Sequence, residues 1–242
     1  MNVYIPNRKL FVNGFLSPLS RINDSCVVCV KDTGLFCTVC TADSSIILHT
    51  QYKLDLDVDS QLCLNIADIK KIVKAFDCIS TESFTFNVDK NNINYSGPEV
   101  NFKYHLLENG IITQPKLNID KINCLEFPVS FNIQYKTLIE LLRGSTFATE
   151  SNKLYLRTKD NKIYGDLTDR SRHNIDSFSI VLADYSGPEF SDICLNFETI
   201  RIISSVRVKQ LECKINPKLG VIVFQVNDDI IKTKYIASSL VK

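Results

Sequence analysis

Apolar positions fall at two spacings along this chain. Runs at 26–30, 35–41 and 46–54 are short, rich in Val, Ile, Leu, Cys and Phe, and surround the turn Lys31-Asp32-Thr33-Gly34. That pattern predicts antiparallel strands. A second set, 153–158 and 163–169 around Lys159-Asp160-Asn161-Lys162, followed by an alternating run at 176–182, predicts the same arrangement.

Between these sets the spacing changes to that of helices. Tyr135, Leu138, Ile139 and Leu142 recur at i, i+3, i+4 and i+7, and Gly144 is placed to end the helix. Ile66, Ile69, Ile72, Val73 and Phe76 form one apolar stripe, and Phe197, Ile200, Ile203 and Val206 form its counterpart. Asn65 and Asn196, just ahead of these stripes, are the expected capping side chains.

The two halves share more than element order. Cys63-Leu64-Asn65-Ile66 and Cys194-Leu195-Asn196-Phe197 open similar ten-residue segments. Lys103-Tyr104 and Lys234-Tyr235 lie farther on at the same offset, and Lys31-Asp32 and Lys159-Asp160 lie upstream at nearly the same one. Three landmarks in one order indicate duplication. The expected organisation is an N-terminal domain at 1–107, a connector at 108–126 containing Gly110 and Pro115, and a C-terminal domain at 127–242. Tyr-Ser-Gly-Pro-Glu also occurs twice, at Tyr95 and at Tyr185, but out of register with the repeat, and reads as a turn.

Composition narrows the class. The chain has 242 residues, 45% of them apolar, yet has no uncharged apolar run of the roughly 18 residues needed to span a bilayer, and its start lacks a signal-peptide core. An intracellular, cytoplasmic protein with no membrane partner is expected. Nine cysteines, an odd number set among aliphatic neighbours, read as buried hydrophobes in a reducing compartment.

A net charge of +1 excludes a protein that is basic over its whole surface. The charge is segregated instead. The predicted helices are net positive: 6–17 carries Arg8 and Lys9, 66–76 carries Lys70, Lys71 and Lys74, 134–145 carries Lys136 and Arg143, and 198–209 carries Arg201, Arg207 and Lys209. The remainder of the chain is therefore net negative. Lys70, Lys71 and Lys74 share the face opposite the apolar stripe. One such face can be a merely solvated surface; four leaning the same way suit phosphate contacts that read no bases.

Three further details point to a family. Asp43-Ser44-Ser45 before Ile46-Ile47-Leu48, the turn Ala183-Asp184-Tyr185-Ser186-Gly187, and the ending Tyr235-Ile236-Ala237-Ser238 resemble motifs of the processivity clamps, namely proliferating cell nuclear antigen and the trimeric polymerase clamps of tailed phages. Ser238 stands where that family has proline. The resemblance implies an α+β DNA-clamp fold of two similar domains, each with two helices packed on antiparallel β-sheets. It also implies a homotrimeric ring whose twelve helices, at ~10 Å spacing, leave an opening of ~28 Å for duplex DNA.

On this resemblance, subunits join through edge strands near 99–107 and 174–182. Partner peptides enter a groove for which Ile47, Ile112, Leu117, Tyr235 and Ile236 are the candidates, each of which also reads as ordinary core. The implied partners are double-stranded DNA, a replicative polymerase, a clamp loader and further copies of the chain.

Other motifs carry less. Cys26-x-x-Cys29 and Cys37-x-x-Cys40 are too close together for a zinc ribbon, and residues three apart on a strand face opposite ways. Asp55, Asp57 and Asp59 start like a calcium loop, but Ser60 and Ile66 stand at the positions needing Gly and Glu, so they read as the wet side of a strand. His49, His105 and His173 belong to no catalytic motif. No enzyme activity and no cofactor are expected. The rival reading is a β-rich structural or assembly protein of a phage virion.

Overall fold

The computed structural model describes residues 1–56, 62–205 and 210–240. The chain divides into two compact units, Met1–Lys116 with Asn227–Thr233, and Leu117–Val226 with Lys234–Lys242.

The first unit opens on β1 (Asn2–Ile5), which sequence alone did not suggest, and enters a helix in three parts: α1 (Arg8–Leu10), a π-helical turn (Phe11–Leu16) and α2 (Ser17–Ile22). Asn7 caps it, its side-chain oxygen accepting the Leu10 amide at 2.8 Å. The helix thus runs five residues beyond the expected end at Ser17. Pro18 does not stop it, because Pro18 stands in the first turn of α2, where a missing N–H costs little.

Strands β2 (Cys26–Lys31), β3 (Gly34–Cys40) and β4 (Ile46–Lys53) follow as expected. Gly34, at φ +132°, is required at the β2–β3 turn: a Cβ there would lie 2.1 Å from the Tyr52 carbonyl oxygen. Asp55 lies past the end of β4 rather than on a strand, and Asp57 and Asp59 fall outside the described residues.

Next come β5 (Leu62–Ile66) and α3 (Ile69–Asp77). Asn65 does not cap α3. It remains in β5, opposite Val27, and its side chain bonds Asn109 at 2.7 Å. The cap is Asp68, which accepts the Lys71 amide at 2.9 Å. Strands β6 (Phe84–Val88), β7 (Asn92–Ser96) and β8 (Asn101–His105) complete the unit. Its sheets have the orders β5-β2-β3-β4 and β1-β6-β7-β8. Residues Ile231–Thr233 also belong to it, with Thr233 Oγ1 2.9 Å from Thr50 Oγ1.

The core of this unit is aromatic. Phe11, Phe76, Phe84 and Phe86 meet at ring-centroid distances of 5.3–6.4 Å, and Tyr52 closes edge-on against Phe11. Burial of each such ring contributes about 1.5–3 kcal/mol. The cluster draws on the first helix, α3 and β6, so it binds both helices to one sheet.

The second unit contains a short helix α4 (Ile119–Asn123), in the stretch expected to be a connector, and β9 (Val129–Gln134), which also went unanticipated. It continues through α5 (Tyr135–Gly144), β10 (Lys153–Lys159), β11 (Lys162–Leu167), β12 (Phe178–Asp184), β13 (Ile193–Asn196), α6 (Glu198–Ile203), β14 (Gln210–Asn216), β15 (Val221–Asn227) and β16 (Ile231–Ser238).

Asp160 and Asn161, both at positive φ (50° and 57°), form the two-residue β10–β11 turn anticipated from their sequence. Asn196 is not the cap of α6 either: the cap is Phe197, and Asn196 ends β13 one residue earlier, where its side-chain oxygen accepts the Glu198 amide at 2.9 Å. The core here is mainly aliphatic, built on Leu138, Leu141, Leu154, Leu156, Leu167 and Leu195.

The sheets of the second unit have the order β13-β10-β11-β12 and the order β9-β14-β15, the latter extended by the Lys234–Ser238 part of β16. This repeats the first unit strand for strand. The sequence landmarks coincide with equivalent elements: β5–α3 with β13–α6, the β2–β3 hairpin with β10–β11, and Tyr104 on β8 with Tyr235 on β16. The first Tyr-Ser-Gly-Pro-Glu segment begins on β7, with only Gly97–Glu99 beyond the strand, and the second follows the end of β12; in both the Tyr ring folds over the Gly two residues on.

Candidate nucleic-acid interface

Each unit pairs two helices, α1–α2 with α3 in the first and α5 with α6 in the second. In α3, Ile69, Ile72 and Phe76 are buried while Lys70, Lys71 and Lys74 are exposed, so the sequence-predicted split between faces holds. Lys9 and Arg143 are likewise exposed. Among the described residues, no carboxylate lies within ion-pair distance of Lys9, Lys71, Lys74 or Arg143.

The other cations have local partners. Lys70 Nζ lies 2.7 Å from Asp24, whose hydrogen bond and charge raise the ammonium above its ordinary pKa. Lys136 lies 3.8 Å from Glu140, and Arg201 lies 3.1 Å from Glu198 and over the Phe197 ring. Such exposed pairs are weak in water and exchange partners easily. Arg8 differs. Its side chain is only 15% exposed and bonds Asp77 at 3.3 Å and the Thr81 carbonyl at 3.2 Å, so it braces the first helix against the end of α3. Arg207 and Lys209 fall outside the described residues.

Sequence reading missed Arg21, exposed in the last turn of α2. It lies four residues beyond the 6–17 range predicted for the first helix.

A cleft of about 300 Å³ lies in the first unit between β2–β3 and the segment 111–115. Val27, Thr38, Cys40, Leu107, Ile112 and Pro115 are among its lining residues. Of the five groove candidates, Ile112 lines it directly. Ile47 is half-buried on β4, opposite Cys40 in register. Leu117 is half-buried, and Tyr235 and Ile236 are buried at 0% and 6% exposure in the second unit.

The loop before β4 is held by Asp43, which accepts Thr41 Oγ1 at 2.6 Å, Ser45 N at 3.1 Å and Ser45 Oγ at 2.8 Å. These bonds, that from Thr41 first, bring its carboxyl down to about 2. The Cys-x-x-Cys pairs are split by strand alternation: Cys26 and Cys37 are buried, Cys29 and Cys40 half-buried. Among the described residues, no three His, Cys, Asp or Glu side chains are grouped to hold a metal ion. No described helix is long and apolar enough to cross a membrane.

Solved structures match the chain over its whole length. Proliferating cell nuclear antigen (PCNA) from Entamoeba histolytica superposes with a TM-score of 0.81 at 9% identity, covering 99% of this chain and 98% of that one. The chain has the PCNA fold. A. fulgidus PCNA bound to the C-terminal region of FEN-1 matches with TM-score 0.79 at 14% identity, covering 100% and 98%. The PCNA2–PCNA3 complex from Sulfolobus tokodaii matches with TM-score 0.76 at 12% identity, covering 99% of both chains. No family model matches the sequence, and no curated protein matches it. The PCNA fold is α+β, with two similar units that each pack two helices on antiparallel sheets, as the resemblance implied.

Proposed function

We propose that this chain is one subunit of a homotrimeric DNA sliding clamp, a ring that encircles duplex DNA and tethers a replicative polymerase without chemistry of its own. The observation that carries this reading is the repeated pairing of helices with lysine and arginine on their exposed faces, on a PCNA fold. Cations that meet phosphates and ignore base edges hold the duplex while leaving translation along it free. In this reading Lys9, Lys70, Lys71, Lys74, Lys136, Arg143 and Arg201 face the DNA and Arg21 joins them, while Arg8 contributes mainly as a brace. Arg207 and Lys209 are proposed with them from the sequence alone.

Ring closure is supported by the sheet edges. β8 and β12, the strands expected at the subunit contact, are each the outermost strand of their sheet. Pairing β8 of one copy with β12 of the next would satisfy the main-chain groups that an edge leaves open. The S. tokodaii structure is itself a complex between two PCNAs.

Partners would dock as peptides. The A. fulgidus protein binds the C-terminal region of FEN-1, and the cleft beside Ile112 in the first unit is the corresponding proposal here. Ile47, Leu117, Tyr235 and Ile236 remain candidates for peptide contact on the clamp reading alone. A clamp loader would open the ring.

The test is light scattering coupled to size exclusion, followed by retention on circular and linear DNA. Three-subunit mass and retention on closed circles, with loss from linear ends, are expected. A monomer at all concentrations that leaves circular and linear DNA alike would overturn the proposal.

A further inference from the structure

We infer that Cys29 and Cys63 form a dithiol that closes reversibly into a cross-strand disulfide, a modification site on the half-buried face of the first unit's sheet opposite its core. This goes beyond the clamp reading and does not depend on it.

The two residues lie directly opposite each other on the antiparallel strands β2 and β5. Opposite residues point to the same face of a sheet. Their sulfur atoms are 3.8 Å apart, although the residues are 34 positions apart in the chain. A disulfide needs about 2.05 Å between sulfurs, so small side-chain rotations close the gap without moving the strands.

Access separates this pair from the other close cysteines. Cys29 and Cys63 are half-buried, whereas Cys26 and Cys37 are 1% and 2% exposed on the core face, and Val28 rather than Cys26 stands opposite Cys37. Burial, followed by the neighbouring Cys63, raises the Cys29 thiol above its ordinary pKa. The reaction is therefore slow at neutral pH and accelerates in alkali, since the thiolate is the nucleophile.

The oxidant is a low-molecular-weight disulfide. One protein thiolate attacks it, breaking its S–S bond and releasing one thiol as a mixed disulfide forms. The second protein thiolate attacks the mixed disulfide, forming the Cys29–Cys63 bond and releasing the second thiol. The two protons lost by the protein end on the two released thiols, and two electrons pass to the reagent. The product ties β5, which leads into the lysine-bearing α3, to β2. It also consumes the thiol to which the Gln114 side chain hydrogen-bonds.

The experiment incubates the reduced full chain with glutathione disulfide at about pH 7 and about pH 8.5, traps free thiols with N-ethylmaleimide, and maps peptides by mass spectrometry. The expected result is a chain about 2 Da lighter, with a Cys29–Cys63 linked peptide and no disulfide between chains, formed about tenfold faster or more at the higher pH. In Cys63→Ser, Cys29 should instead stop as a persistent glutathione mixed disulfide. Full alkylation of both residues in the wild-type chain, or linkage of Cys26 to Cys37 in their place, overturns the inference.

Discussion

Tyr104 Oη accepts the Asp68 amide at 2.8 Å and donates to the Asp68 carbonyl at 3.1 Å, so a tyrosine on the edge strand β8 clamps the residue that caps α3. Tyr104 is buried, and burial raises its pKa above the ordinary tyrosine value. The strand proposed to join subunits and the helix proposed to face DNA thus share one hydrogen-bonded anchor. Tyr104→Phe keeps the ring and deletes both bonds, and should cost about 1–2 kcal/mol in urea denaturation. Amide exchange should quicken at the start of α3 while the first helix is unaffected; an unchanged exchange pattern would show that the anchor is redundant.

The exposed lysines of α3 give the most direct reading of the DNA proposal. Lys71→Ala with Lys74→Ala should leave the circular dichroism spectrum and unfolding midpoint within about 0.5 kcal/mol of the parent, because neither side chain packs in the core. Retention on nicked circular DNA should fall, and the slope of log affinity against log salt should flatten by about 0.9 for each phosphate contact removed. Retention and slope equal to the parent's would assign these lysines to solubility alone.

Ring closure is addressed at β12. Val181, 38% exposed on that edge, can be replaced by Asp without opening the core. A charge set against a pairing edge should weaken self-association at least about tenfold, or about 1.4 kcal/mol. Light scattering across a dilution series would show the three-subunit mass giving way to one subunit at higher concentration than for the parent.

On the same sheet, Asp166 collects Arg157 at 2.5 Å, Arg170 at 3.3 Å and Ser179 Oγ at 2.5 Å. Burial pushes its carboxyl up, but the Arg157 and Ser179 hydrogen bonds and the two arginine charges outweigh it, and the pKa falls below its ordinary value. A depressed folded pKa contributes stability above the unfolded value near 3.9, and that contribution is lost as pH falls through the folded value. Asp166→Asn should therefore cost about 1–3 kcal/mol at pH 7. The deficit should shrink as the parent is taken below about pH 4. A deficit independent of pH would assign the loss to packing.

The misplaced elements have physical reasons. β1 is four residues long, and neither its Val3/Ile5 alternation nor that of β9 forms a strand without β6 or β14 to pair with. Asn65 and Asp68 are both good caps by type. Only the register of β5 against β2, which carries the strand through Ile66, hands the role to Asp68. Pro18 ends a helix in most contexts, yet follows a π-helical turn here.

What the sequence determined by itself was the duplication, the strand–turn–strand units and the separation of lysine from isoleucine on α3, because periodicity and turn chemistry are local properties of the chain. The approach of Cys29 to Cys63, the clasp of Tyr104 on Asp68, the conversion of Arg8 into a brace and the edge positions of β8 and β12 were decided only by tertiary structure. Each depends on strand register or helix packing, which join residues distant in sequence and are set by the whole fold at once.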